Sequence, residues 1–162
     1  MENKVTKKYT PAQARTKIES WCAYQERSHY EVKEKLYSWG LYSTDVNEII
    51  SHLISNNFLN EERFAEAFVS GKFKIKGWGR NKIKQALKLK KVSDPNIKNA
   101  FKQLDADDYF KKLKSIAVKK NKLIKENNHL KRKFKLVSFL ATKGYEHDLI
   151  NEVVKEVLKK DD

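Results

Sequence analysis

The sequence specifies an all-α chain of tandem three-helix units, and three features say so. Apolar residues recur at helical spacing. Breakers are scarce, with five glycines and two prolines in 162 residues. One pattern also returns three times, the mark of a repeat protein. The first copy, from Tyr30, reads YEVKEKLYSWGLYSTDVNEIISHL, and 51 positions later the second reads NKIKQALKLKKVSDPNIKNAFKQL. The third, shifted by a further 53, reads FKLVSFLATKGYEHDLINEVVKEV. Apolar positions align in threes: Val32, Ile83 and Leu136; Leu36, Leu87 and Leu140; Leu41, Val92 and Tyr145; Val46, Ile97 and Ile150; Ile50, Phe101 and Val154. Two successive helical stripes thus keep register across three copies.

Taken in order, residues 1–10 are expected to form a flexible tail. A helix from roughly Pro11 to Gln25 carries Ile18, Trp21 and Cys22. Ser28 with Glu31 has the pattern of a capping box, and Gly40 suits the left-handed residue that closes the helix. Val46, Ile49, Ile50 and Leu53 then share one helical face. Asn60 followed by Glu61 and Glu62 predicts a helix start, running to about Lys74 with Phe64, Phe68 and Val69 inward. Asp94 and Pro95 predict an N-cap with proline in the first turn. A helix from about Ala106 to Lys125 carries Phe110, Leu113, Ile116 and Ala117. Gly144 occupies the position of Gly40, whereas the second copy has Lys91 there, so a different cap is expected. The repeats are 11–57, 58–104 and 105–162. A unit of about 50 residues buries little surface by itself.

Several function classes find no support. The four histidines, His29, His52, His129 and His147, lack partners at metal-ligand spacing. Gly77 and Gly79 follow no strand and so are not a dinucleotide fingerprint, and no phosphate-cradling loop with a terminal Gly-Lys-Ser/Thr occurs. Glu61/Glu62 and Asp107/Asp108 sit at helix starts, where the helix dipole accounts for them. Cys22, the single cysteine, reads as core on an apolar helix face and fits a reducing cytoplasm. No apolar run approaches the roughly 18 residues of a membrane span. MENKVTKKYT has charge with no apolar stretch behind it, so no secretory signal is expected. These readings describe a non-enzymatic, cytoplasmic protein without metal or cofactor.

What remains is charge. The net charge is +14, and it is uneven. Residues 1–57 carry eight basic and seven acidic groups, residues 58–104 twelve and four, and residues 105–162 fifteen and ten. Between Gly71 and Lys91 stand nine basic residues and no acid; between 111 and 135 stand eleven against the single Glu126. The candidate polyanion-binding residues are Lys72, Lys74, Lys76, Arg80, Lys82, Lys84 and Lys88 in the second repeat, with Lys131, Arg132, Lys133 and Lys135 in the third. Lysine predominates, which favours contact with phosphates over bidentate reading of bases. Trp78, between two glycines, has two readings: a surface on which a single-stranded base stacks, or a residue folded back onto its own unit.

The block FLNEERFAEAFVSGKFKIKGWGRNKIKQALKLKKV, Phe58 to Val92, resembles the central region of the RecX regulatory proteins. Phe58, Asn60, Glu61, Arg63, Phe64, Ala65, Phe68, Gly77 and the helix Lys82–Leu87 carry the resemblance. Ser28–Leu41 is similar to the family's first unit, and the likeness runs from about residue 15 to 158, weakening at the end. Lys91 departs from the family pattern, which often has glycine there. The resemblance implies three-helix repeats bending into an elongated molecule. It implies a monomer that lies along the groove of the RecA–single-stranded-DNA filament and inhibits its ATPase, strand-exchange and coprotease activities. DNA repair, recombination and the SOS response would be its setting. The alternatives are a helical protein that binds single-stranded or duplex DNA independently of RecA, and a helical scaffold whose positive charge serves an acidic protein partner.

Overall fold

The computed structural model describes residues 8–159. Among them lie nine helices and no strand: α1 (Pro11–Tyr24), α2 (His29–Ser38), α3 (Ser43–Ser55), α4 (Glu61–Lys74), α5 (Arg80–Leu89), α6 (Asp94–Phe101), α7 (Ala106–Leu123), α8 (His129–Thr142) and α9 (His147–Lys159). Side chains cap the starts of α1, α2, α4, α7 and α8, whereas α3 begins without a side-chain cap. Thr10 and Gln13 form a full capping box on α1. Ser28 Oγ accepts the Glu31 N–H at 3.0 Å, but the Glu31 carboxylate turns away to Lys90 at 2.8 Å. Asn60 Oδ1 caps α4 through the Arg63 N–H at 2.9 Å. Asp105 caps α7 and Asn128 caps α8 in the same way. Asp94 is the first residue of α6 and not its cap, a one-residue difference.

The helix-closing turns correct one expectation. Gly40 and Gly144 take φ of +82° and +97°, and Lys91 takes +59°. The same pair of bonds recurs at all three sites. Leu41 N–H reaches Leu36 O, Val92 N–H reaches Leu87 O and Tyr145 N–H reaches Leu140 O, with the preceding N–H bonded three residues back. The second repeat therefore keeps the cap of the other two. Lysine is held in the left-handed region because Leu87 and Val92, both buried, fix the chain on either side. Strain there is of order 1 kcal/mol.

By compactness the chain divides into two units, Met1–Ala67 with Leu87–Ile97, and Phe68–Ala86 with Lys98–Asp162. The helices α4, α5 and α6 each contribute to both. In the first unit α1 packs on α2 and α3. Its core joins Ala14, Ile18 and Cys22 to Val32, Leu36, Leu41, Val46, Ile49, Leu53 and Leu59. Asn96 Nδ2 bonds Glu61 at 2.7 Å, and Arg63 pairs with Glu26 at 2.5 Å. Of the expected tail, residues 1–7 lie outside the described residues. Lys8–Thr10 lie on the unit, with the Tyr9 N–H bonded to Trp39 O at 3.2 Å and the two rings edge to face.

In the second unit α7 packs on α8 and α9, and α8 on α9. Leu113, Ala117, Leu136, Leu140, Ile150, Val153 and Val154 are buried. Of the aligned apolar positions, Ile50 and Phe101 are only half-buried. In α3 the buried positions are Val46, Ile49 and Leu53, and in α6 Ile97 and Ala100. Tyr109 is buried where Phe110 was expected, and its hydroxyl explains the exchange.

Candidate nucleic-acid interface

The basic face of the second repeat is set by a close backbone contact. Helix α5 has no side-chain N-cap of its own. Its first N–H groups are met instead by the turn between α8 and α9: Gly79 N–H donates to Lys143 O at 2.8 Å and Asn81 N–H to Gly144 O at 2.9 Å. A Cβ on Gly79 would lie 2.4 Å from the carbonyl carbon and oxygen of Gly144. One on Gly144 would lie 2.4 Å from Lys82 Cβ. Only glycine at both positions permits this approach.

A polar cluster locks the contact. Arg80 pairs with Glu146 at 2.7 Å while its guanidinium lies 3.8 Å from the Tyr109 ring centroid. The Tyr109 hydroxyl donates to the other oxygen of Glu146 and accepts the Arg80 N–H at 3.0 Å. Tyr145 donates its hydroxyl to Gly77 O at 3.0 Å. Burial, aided by the bond to Glu146, raises the Tyr109 pKa well above the ordinary tyrosine range; burial raises that of Tyr145 too. Both phenols stay protonated donors at any physiological pH.

This cluster sorts the expected cations. Arg80 is committed to Glu146 and Tyr109. Arg132 is committed likewise: its guanidinium bonds Asn121 O, Ile124 O and Glu126 O, closing the α7–α8 connection. Lys135 reaches Glu126 at 3.3 Å. The backbone N–H of Asn128 and then Lys135 hold the Glu126 carboxyl below its usual pKa. Lys72 and Lys82 are half-buried, with ammonium groups 4.8 and 4.5 Å from the Trp78 ring centroid. Trp78 is thus partly exposed and flanked by two cations. Lys74, Lys76, Lys84, Lys88, Lys131 and Lys133 are exposed. Of these, Lys88 belongs to the first compact unit and the others to the second.

The structure adds cations that composition did not single out. Lys112 Nζ donates to Lys74 O at 3.1 Å and Lys143 Nζ to Lys76 O at 3.4 Å. Two further ammonium groups thus stand beside the Lys74–Lys76 segment. Lys112 sits within the basic run 111–135, but its proximity to residue 74 has no signature in the sequence.

Elsewhere, burial pushes the Cys22 thiol up to about 11, so it is no nucleophile at neutral pH. His52 is half-buried and bonds Glu19 at 2.6 Å and the Arg15 guanidinium. No cluster of three or more potential metal ligands occurs among the described residues, and no helix there is long and apolar enough to cross a membrane.

The molecule is of the three-helix-repeat class, with cations concentrated on its second and third repeats. Residues 60–100 match the family model for the RecX second three-helix domain, and residues 107–154 that for the third. The regulatory protein RecX of Vibrio vulnificus is 30% identical over 132 residues, covering 82% of this chain and 84% of that protein. That of Clostridium perfringens strain 13 is 32% identical over 133 residues, and the chain spans 62% of its length. The crystal structure of RecX from Lactobacillus salivarius has the same fold, with a TM-score of 0.80 at 24% identity over 91% of this chain and 96% of that one. The chain belongs to the RecX family.

Proposed function

We propose that this protein is a non-enzymatic regulator that binds the RecA–single-stranded-DNA filament and inhibits its recombinase, ATPase and coprotease activities. In this reading it acts in the cytoplasm, as a monomer, in DNA repair and the SOS response. Family membership supports the link to RecA, and the observation that carries the DNA contact is the exposed set Lys74, Lys76, Lys84 and Lys88. With Lys131 and Lys133 they supply six ammonium groups that no acid of the described residues pairs. Phosphates drawn to Lys72 and Lys82 bring a base within reach of the Trp78 ring, the stacking role open to that residue.

The test is RecA ATPase on saturating single-stranded DNA, titrated with this protein while RecA is in excess. Inhibition at a small fraction of the RecA concentration is the expected result, since so little protein cannot strip DNA by competition. A Lys76/Lys84/Lys88→Glu variant should lose most of the effect at unchanged helicity. Lys82 is left intact because it packs against Trp78 and Gly144. Inhibition that appears only when the protein can coat the DNA would instead establish a general nucleic-acid binder.

A further inference from the structure

The N-terminal half of α8 exposes a surface that phosphate binding does not explain. Leu130 is 76% and Phe134 72% exposed, one helical turn apart on α8. One residue before each stand His129 and Lys133, which with Val154, Lys155, Leu158 and Lys159 of α9 line a cleft of about 180 Å³. The floor is aliphatic and the rim is cationic. Small-molecule and cofactor sites usually occupy ~300 Å³ or more, so the cleft has room for one large side chain and little else. Leu130 and Phe134 do not line the cleft but each follows one of its lining residues on α8.

The preceding repeat shows what such a face holds. Moving back 53 positions, Lys133 corresponds to Arg80, and Phe134 to Asn81. At those positions α5 is covered: Arg80 holds the carboxylate of Glu146 and Asn81 receives a turn of the next repeat. On α8 Lys131 and Lys133 are exposed, and no acid among the described residues pairs with them. No acid occurs between residues 127 and 145, and the Glu156 carboxylate of α9 is engaged by Lys114 at 3.0 Å. Lys133, Lys155 and Lys159 are in no ion pair among the described residues.

We infer that the α8–α9 cleft, with Leu130 and Phe134 next to its lining residues on α8, docks an acidic amphipathic protein segment: one apolar side chain enters the cleft while carboxylates meet Lys133, Lys155 and Lys159. A nucleic-acid strand fits less well, because phosphates gain nothing from an aliphatic floor and two exposed apolar residues. A second copy is disfavoured by the net charge of +14. This inference does not rest on the RecA reading, although the two share Lys133.

The test is fluorescence anisotropy of the intact chain with three labelled probes. One is a short glutamate-rich helical peptide with leucine and phenylalanine one turn apart. The second is the same peptide with serines at those two places, and the third is oligothymidine. The apolar peptide should bind about tenfold more tightly than its serine counterpart. Leu130→Ser/Phe134→Ser, both exposed and so without effect on folding, should abolish that preference and leave oligothymidine affinity unchanged. Lys133→Glu should weaken both peptides. Equal affinity for the two peptides, or no peptide binding, would overturn the inference. So would a parallel loss of oligothymidine affinity in the serine variant, which would make the face a nucleic-acid surface.

Discussion

Helices α5 and α8 hold the same place in successive repeats and carry similar positive charge, yet their cations are in different states. On α5 the first turn is sealed by the Gly144 turn, Arg80 is spent on Glu146, and the exposed lysines fall later, at Lys84 and Lys88. On α8 Arg132 is spent on carbonyls of the α7–α8 connection, while Lys131 and Lys133 are exposed beside Leu130 and Phe134. The difference teaches that a count of basic residues overstates the available charge. A guanidinium bonded to a carboxylate and stacked on a phenol ring must break both contacts before it meets a phosphate.

That contrast can be broken first at the seal. Gly79→Ala forces a Cβ into the Gly144 backbone and disrupts the bonds of Gly79 and Asn81; a loss of about 4 kcal/mol is expected in urea unfolding. An unchanged midpoint would mean that the two turns part at little cost. Glu146→Ala should cost about 3 kcal/mol by leaving Arg80 and the Tyr109 hydroxyl without their acceptor. If the variant instead gains DNA affinity at tolerable stability, Arg80 is a cation held in reserve.

Tyr109→Phe sharpens the same point, with an expected loss of about 1 kcal/mol at neutral pH. The sign with pH follows from the raised pKa. Below the ordinary tyrosine value of 10.0 both folded and unfolded chains keep the proton, and above it the unfolded chain alone releases it. Stability should therefore fall as pH rises beyond 10.0, and the deficit of the phenylalanine variant should shrink there. A constant deficit across that range would place the ionisation elsewhere.

Binding tests separate the two helices directly. Reversing Lys84 and Lys88, or Lys131 and Lys133, should each flatten the salt dependence of DNA binding. If about six lysines meet phosphates, affinity should drop roughly 10³-fold between 50 and 200 mM salt in the unmodified chain. Reversal on α8 with no change in slope would assign its cations to a protein partner. The smallest effect is expected at Lys91→Gly, a gain of about 1 kcal/mol as left-handed strain is relieved. It should leave DNA affinity untouched, since Lys91 lies past the end of α5.

Much of this architecture was legible because helices are local. The stripe at Val32, Ile83 and Leu136 and the caps at Asn60 and Gly40 depend on residues within a turn or two, and burial follows from that spacing. Residue preference points to a different cap at Lys91, but it is weak beside the packing of Leu87 and Val92. Spacing alone does not choose between Tyr109 and Phe110, because adjacent aromatics differ in pattern by only one step. What decided for tyrosine was a carboxylate 37 residues away.

Sequence therefore determined that the chain is helical, threefold repeated and basic on its last two repeats, since each of these is a property of composition or short-range period. Which cations stay free, why Gly79 must lack a side chain, and where α8 and α9 form a cleft were fixed by long-range contact. Pairing between residues 29 to 68 positions apart is set by how helices pack, and no local preference encodes it.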